Sequence, residues 1–301
     1  MYSVCNNTHT GGLMSIQIFN KDQQYLMSKG AIHRQTLRSQ IDEALNNNQF
    51  KDNFIISSLP GLGKTHEMEA ALAKMSDAPL VFRGDNGMFG YMIDIATAIF
   101  LNGGPQNPLT VVNDDCDVLF DDRNINTTKK MFDNTRVLRY GKNYKSLKGL
   151  CSDVQWEAIL SFADESRAGL DIDVSNVTFI TLTNYHLNTV DEVEAQEEGS
   201  TKYQKYNSRY AIRRRTEYKE ITMPTMELWG YVADVVLNEK ICEKIMPNIT
   251  QAHKEQILMW CHTKWENGIT ERNLSIIEKM TKQIVRYPND YLDIWEQEYV
   301  K

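Results

Sequence analysis

Short apolar runs alternate with helical segments along the chain up to about residue 224. The segments 64–74 and 91–101 carry apolar residues at helical spacing. Strands that alternate with helices in this way predict a largely parallel sheet covered on both faces. The runs have the length and composition of buried strands and lie at 53–57, 79–83, 109–113 and 177–183.

The two ends of the chain show helical periodicity without strands. Residues 22–47 predict a helical lead-in, and residues 1–12 are polar and predict a frayed terminus. After Pro224 the pattern predicts four amphipathic helices, at 226–237, 250–265, 272–286 and 291–299. The predicted organisation is an N-terminal lead-in (1–50), an α/β core (51–224) and a helical lid (225–301).

Two polar regions of the core give weaker patterns. Residues 121–176 predict two helices, at 127–134 and 154–166, within an otherwise unassigned insertion. Residues 191–205 are charged and predict an exposed loop or a ragged helix.

The composition is that of a soluble globular protein. Of the 301 residues, 42% are hydrophobic and 24% are charged. No apolar run is long enough to span a bilayer and the N-terminus has no signal-peptide pattern, so we expect a cytoplasmic protein without a membrane partner. The net charge of −7 argues against a generic nucleic-acid coat but not against a local basic groove.

The most informative stretch is a glycine-rich turn between the first strand and a helix. It ends in Pro-Gly-Leu-Gly-Lys-Thr, and this context is typical of a phosphate cradle. Lys64 would reach the β- and γ-phosphates, and Thr65 would offer its hydroxyl to Mg²⁺. The first position is Ser58 where the motif has glycine, and the alternative is an ordinary turn with a solvated lysine. The predicted nucleotide-binding residues are Ser58, Leu59, Pro60, Gly61, Leu62, Gly63, Lys64, Thr65 and His66.

Two acids close the apolar run at 109–113. Asp114 would hold Mg²⁺ and Asp115 would orient or deprotonate the attacking water. The second acid at this position is usually Glu, whose side chain is one methylene longer, so the carboxylate of Asp115 reaches less far towards the attacking water. The alternative is a strand end closed by a polar turn.

This order of motifs resembles the AAA+ ATPases, a family of P-loop NTPases. The resemblance covers about residues 50–286, and the compact Asn- and Lys-rich sequence is similar to small AAA+ ATPases encoded by bacteriophages, which would act in the host cytoplasm. It implies an α/β P-loop core with a parallel sheet followed by a small all-helical lid. It also implies that Asn184, at the end of a strand, is the sensor 1 residue that positions the lytic water.

The resemblance further implies catalytic arginines. Arg209 matches an arginine that projects into the neighbouring subunit's site, with Arg214 and Arg215 as alternatives. Arg272, at the start of a lid helix, matches sensor 2. An arginine supplied in trans implies a homo-oligomer, which we expect to be a hexameric ring. The alternative for Arg209, Arg214 and Arg215 is a solvated basic turn or a nucleic-acid patch, and for Arg272 it is an exposed arginine paired with a nearby acid.

Two features bear on what the ATPase would act on. Met88-Phe89-Gly90 resembles the pore loop of AAA+ proteins that thread polypeptides, although Phe89 also suits an ordinary helix start. The stretch 129–148 is basic with interleaved tyrosines, which suits a nucleic-acid strand or a solvated loop. The predicted function is Mg²⁺-dependent ATP hydrolysis that remodels a protein substrate. The alternatives are a DNA-linked ATPase and a slow nucleotide-dependent switch, and the preference for ATP over GTP follows from the resemblance alone.

Overall fold

The structure is a computed structural model that describes residues 19–46, 53–76, 79–84, 87–141, 143–163, 169–268 and 271–299. The predicted frayed terminus lies outside these ranges. The strands are β1 (Phe54–Ser58), β2 (Leu80–Arg83), β3 (Leu109–Asp114), β4 (Val137–Tyr140), β5 (Leu170–Asp173), β6 (Val177–Thr183) and β7 (Glu217–Ile221).

Eleven α-helices lie within the described residues. They are α1 (Lys21–Asn46), α2 (Lys64–Leu72), α3 (Gly87–Leu101), α4 (Ile125–Phe132), α5 (Asp153–Phe162), α6 (Val190–Glu194), α7 (Thr201–Arg213), α8 (Thr225–Asn238), α9 (Gln251–Glu266), α10 (Leu274–Arg286) and α11 (Tyr291–Tyr299).

The chain divides into two compact units. We call Arg38–Leu59 with Lys64–Ile221 the core unit. The helical unit comprises the described residues before Arg38, the four residues Pro60–Gly63 and the residues from Thr222 onwards.

The core unit is built on a five-stranded sheet in the order β2-β3-β6-β1-β7, in which all neighbouring strands are parallel. β1 and β6 are buried along their whole length, as their Ile, Phe and Leu content requires. β4 and β5 pair antiparallel in a separate two-stranded sheet inside the region that the sequence left unassigned. The predicted α/β fold, with a largely parallel sheet followed along the chain by a helical region, is confirmed.

The helical unit packs its helices around three fully buried tryptophans, Trp229, Trp265 and Trp295. The backbones of α1 and α8 touch at paired glycines. A Cβ atom on Gly30 would lie 1.9 Å from the Tyr231 nitrogen, and one on Gly230 would lie 1.9 Å from the Leu26 carbonyl oxygen. Only glycine allows this approach, so α1 and α8 are fixed against each other.

The charged segment 191–205, for which the sequence predicts an exposed loop or a ragged helix, contains most of α6 and the start of α7. α6 begins with a capping box between Thr189 and Glu192, and the side chain of Ser200 caps α7. Two short-range caps therefore start two helices in a segment whose composition is typical of loops.

Candidate functional site

Three strand ends gather the polar residues of the site. β6 lies between β1 and β3 and is parallel to both, so the three strands end at the same edge of the sheet. Ser58 closes β1, Asp114 closes β3 and Asn184 follows β6. In open parallel sheets this edge is where ligands bind.

Lys64 is buried at this edge with its amine among four oxygen atoms. Its Nζ lies 2.7 Å from Asn184 Oδ1, 3.1 Å from Ser58 Oγ and 3.4 Å from the Ser58 and Leu59 carbonyl oxygens. Burial lowers the pKa of Lys64 to about 8, against the opposing charges of nearby aspartates. An anion at this position would stabilise the charged amine. The serine that replaces the motif's first glycine is therefore itself a partner of Lys64.

Thr65 and Asp114 form a pair of oxygen ligands. The Thr65 hydroxyl donates to Asp114 Oδ1 at 2.8 Å. Burial raises the pKa of Asp114. Arg83 lies on its other side, with Nε 3.7 Å from Asp114 Oδ2 and Nη2 bound to Glu69. A hydroxyl and a carboxylate oxygen are the hard ligands that Mg²⁺ prefers, so these two residues fit the predicted metal role.

Asp115 is exposed, whereas Asp114 is buried. The backbone of Asp115 is in the left-handed region, with φ 52°, which turns the chain sharply at the end of β3. Asn184 Nδ2 donates to Asp115 Oδ1 at 3.3 Å. Asn184 therefore joins Lys64 through its oxygen and Asp115 through its nitrogen, so the structure brings together the predicted phosphate-binding lysine, the predicted base and the predicted sensor.

Of the glycine-rich turn, only the four residues Pro60–Gly63 belong to the helical unit. Gly61 and Gly63 have φ of 74° and 75°, which a residue with a Cβ rarely adopts. Leu62 between them is buried, whereas Leu59 and Pro60 are exposed. His66 lies half-buried in the first turn of α2.

Arg209, on α7, is held within its own core unit. Its side chain is 16% exposed, its guanidinium lies 5.4 Å from the centre of the Tyr185 ring, and its Nη2 lies 3.9 Å from Asp122 Oδ1. Arg214 and Arg215, at the end of the same helix, are exposed.

Arg272 lies in the helical unit, directly before α10. Its guanidinium donates to Thr225 Oγ1 at 2.9 Å and to the Trp265 carbonyl oxygen at 3.3 Å. These contacts join the starts of α8 and α10 to the end of α9.

Phe89 lies in the first turn of α3 and is half-buried. Its ring centre is 5.3 Å from that of Tyr140. Both rings line an open cavity of about 930 Å³, together with Met88, Met92 and Tyr185. Phe89 therefore lines this cavity from the first turn of α3.

Several residues of the basic stretch 129–148 make contacts within the protein. Arg136 donates to the Val177 carbonyl oxygen, and Arg139 pairs with Asp171 at 2.8 Å. Tyr144 is buried and stacks on Trp156. Lys142 lies outside the described residues. The structure therefore uses several members of this stretch, whose pattern suits a nucleic-acid strand or a solvated loop, for internal contacts.

His186 was not singled out from the sequence, although it follows Asn184 by two residues. Its Nδ1 lies 2.8 Å from Glu220 on β7, and its Nε2 lies 2.9 Å from Glu192 on α6. Burial acts to lower the pKa of His186, but the hydrogen bonds and charges of the two glutamates outweigh it and raise this pKa. The partner carboxylate of Glu192 has its pKa lowered to about 2, chiefly by His186.

The His186 cluster predicts a specific pH dependence of stability. Because the pKa of His186 is higher in the folded than in the unfolded protein, its contribution to folding stability is complete below the unfolded pKa of about 6.5. This contribution is lost as the pH rises through the folded-state pKa. His186→Gln should therefore lower the melting temperature more at pH 5.5 than at pH 9. Thermal melts of both proteins at the two pH values test this, and an equal loss at both would contradict it.

Comparisons with known proteins give little beyond the fold. No family model matches the chain, and no curated protein matches it. Solved structures do match. One is a replication initiator DnaA bound to AMPPCP and single-stranded DNA, with 12% sequence identity and a TM-score of 0.41. The match covers 86% of this chain and 63% of that one, so this chain spans less than two thirds of its length. A likeness this low supports no inference about activity or partners.

Within the part of the chain that the structure describes, no helix is both long enough and apolar enough to cross a membrane.

Proposed function

We propose that this protein binds ATP with Mg²⁺ and hydrolyses it at the edge of the sheet formed by β1, β6 and β3. The observation that carries the proposal is the double contact of Asn184, with Lys64 at 2.7 Å and Asp115 at 3.3 Å. One amide thus links a buried cation to an exposed carboxylate, the two kinds of group that phosphate binding and water activation use.

Each residue has a separate role in this mechanism. The amides of the glycine-rich turn and Lys64 bind the phosphates, because converging N–H groups and a buried ammonium both favour an anion. Thr65 and Asp114 would hold the metal ion, whose charge would stabilise the transferred phosphoryl group electrostatically.

Asp115 and Asn184 act on the water. The carboxylate of Asp115 accepts the proton of the attacking water, while the Asn184 side chain orients that water. The new bond forms between the water oxygen and the γ-phosphorus, and the bond to the bridging oxygen breaks, which leaves ADP and phosphate. Asp115 suits this role because it is exposed and can therefore be reached by water.

We propose that the working form is a homo-oligomer, a hexameric ring, in which an arginine acts on the neighbouring subunit's site. Arg209 is the first candidate, and the exposure of Arg214 and Arg215 makes both of them part of the test.

An arginine that acts in trans predicts complementation between two inactive variants. Arg209→Ala should bind ATP but lose turnover by a factor on the order of 10³. Mixed with Lys64→Ala, it should recover turnover that neither variant has alone, because mixed interfaces pair an intact P-loop with an intact arginine. Phosphate release from the two variants and their mixture measures this. Arg214→Ala and Arg215→Ala, each mixed in the same way, identify the residue. If the mixed proteins assemble but none of the three arginine variants recovers turnover, the proposal that an arginine acts in trans is wrong.

For the work that hydrolysis drives, we propose a protein substrate. The cavity beside Phe89 and Tyr140 offers an apolar, aromatic wall for a peptide side chain. Turnover measured with an unfolded protein, single-stranded DNA and duplex DNA separates this from the other functions. Stimulation by the protein that is lost in Phe89→Ala supports it. Stimulation by DNA that is lost when Lys129 and Lys130 are reversed in charge favours the DNA-linked ATPase. No stimulation favours a slow switch.

A further inference from the structure

Two consecutive peptide groups of the glycine-rich turn are held by hydrogen bonds within the helical unit. The N–H of Leu274 donates to the Gly61 carbonyl oxygen at 3.0 Å. The Tyr231 hydroxyl donates to the Leu62 carbonyl oxygen at 2.6 Å, with Leu62 and Tyr231 1% and 0% exposed. The turn is therefore fixed by one backbone donor and one side-chain donor that the P-loop motif does not contain.

These bonds determine where the amides of the turn point. In a trans peptide the carbonyl and the following N–H point in opposite directions. Binding of the Gly61 carbonyl to Leu274 directs the Leu62 N–H away from α10. Binding of the Leu62 carbonyl to Tyr231 likewise directs the Gly63 N–H away from α8. Among the backbone hydrogen bonds of the described residues, neither of these two N–H groups is a donor.

The donors themselves are held rigidly. Leu274 is the first residue of α10, whose N–H has no partner inside the helix, and Asn273 caps the same helix by accepting from the Ile276 N–H. Gly61 packs so closely on Asn273 that an added Cβ would lie 2.4 Å from the Asn273 Cβ. Tyr231 stands on α8 next to Gly230, one of the two glycines that fix α8 against α1.

We propose that Tyr231, together with the first amide of α10, positions the phosphate-binding amides of the turn, so that nucleotide affinity depends on a hydroxyl outside the P-loop motif. The inference rests on the proposed function and extends it. The Tyr231 hydroxyl acts on the phosphates through the Leu62 carbonyl oxygen of the turn, so Tyr231 is a positioning residue. Without its hydroxyl the Leu62–Gly63 peptide rotates more freely, and a bound phosphate has to order it.

Tyr231→Phe tests this directly, because it removes one oxygen and keeps the ring. ATP affinity should fall about five- to tenfold, which is the effect of one net hydrogen bond. Turnover at saturating ATP should stay within about twofold, because Lys64, Asp115 and Asn184 are unchanged. The result is thus a raised KM with an almost constant kcat.

The control is Tyr91→Phe, which removes another buried hydroxyl, 3.9 Å from Met131 Sδ in the core unit. This variant should lose thermal stability but keep wild-type ATP affinity. Wild-type affinity in Tyr231→Phe, or an equal loss in Tyr91→Phe, overturns the inference. An absence of ATP binding by the wild-type protein overturns the proposed function instead.

A second pair of variants tests the backbone donor and decides the matter if Tyr231→Phe does not fold. Leu274→Pro removes the N–H at a position where proline is well tolerated, and the extended backbone of Asn273 before it suits a following proline. Leu274→Ala truncates the same side chain but keeps the N–H. We expect ATP affinity to be about fivefold lower in Leu274→Pro than in Leu274→Ala. Equal affinities would overturn the inference.

Discussion

Lys64→Ala is expected to lower ATP affinity by about 100-fold, as the loss of charge-assisted hydrogen bonds to the phosphates implies, and to reduce turnover to background. The amine is buried among the oxygens of Ser58, Leu59 and Asn184. Burial already disfavours its charge, so the amine contributes little stability in the absence of an anion. We therefore expect the variant to remain folded.

The matched control for this substitution is Lys74→Ala, an exposed lysine just after α2. It removes the same side chain from the neighbourhood of the same helix without touching the turn. ATP binding by calorimetry and phosphate release should be unchanged in this variant. If Lys64→Ala retained wild-type affinity, the phosphates would have to bind elsewhere.

Asp115→Asn should separate binding from hydrolysis. Asparagine tolerates the left-handed backbone that Asp115 adopts, so the turn after β3 is kept. It cannot accept the water proton as a carboxylate does. We expect turnover to fall by a factor on the order of 10²–10⁴, the usual contribution of a general base, while ATP affinity changes less than about twofold.

Asp153→Asn is the control for this second prediction, because Asp153 is an exposed acid in the first turn of α5. Single-turnover hydrolysis of bound ATP measures the chemical step in both variants. Turnover in Asp115→Asn that equals the wild-type rate would show that Asp115 is not the base.

The elements around the site could be predicted because each carries a local signal. The apolar runs at 53–57, 109–113 and 177–183 correspond to β1, β3 and β6. The residues that follow these runs meet because parallel neighbours end at one edge, which topology alone implies. The grouping of Lys64 and Asn184 therefore needed no knowledge of side-chain packing.

β7 could not be predicted because its residues, Glu-Tyr-Lys-Glu-Ile, do not form an apolar run. Among the described strands it pairs with β1 alone, at the edge of the sheet, so polar side chains are tolerated on it. β4 and β5 have four residues each and pair across the α5 segment, which gives no pattern of useful length.

The contacts that position the site are also absent from local patterns. Tyr231 reaches the Leu62 carbonyl oxygen from 169 residues away in the chain. His186 meets Glu220 only because β6 and β7 both flank β1. Such contacts depend on tertiary packing, whereas periodicity and motif spacing report only short-range structure.

The central claim is that ATP binds at Lys64 and is hydrolysed there. The most direct test is phosphate release with Mg²⁺ and either ATP or GTP, by the wild-type protein, Lys64→Ala and Lys74→Ala. The account predicts saturable ATP turnover by the wild-type protein and Lys74→Ala, and none by Lys64→Ala. Equal turnover by all three proteins, or none by the wild-type protein together with no nucleotide binding, would contradict it.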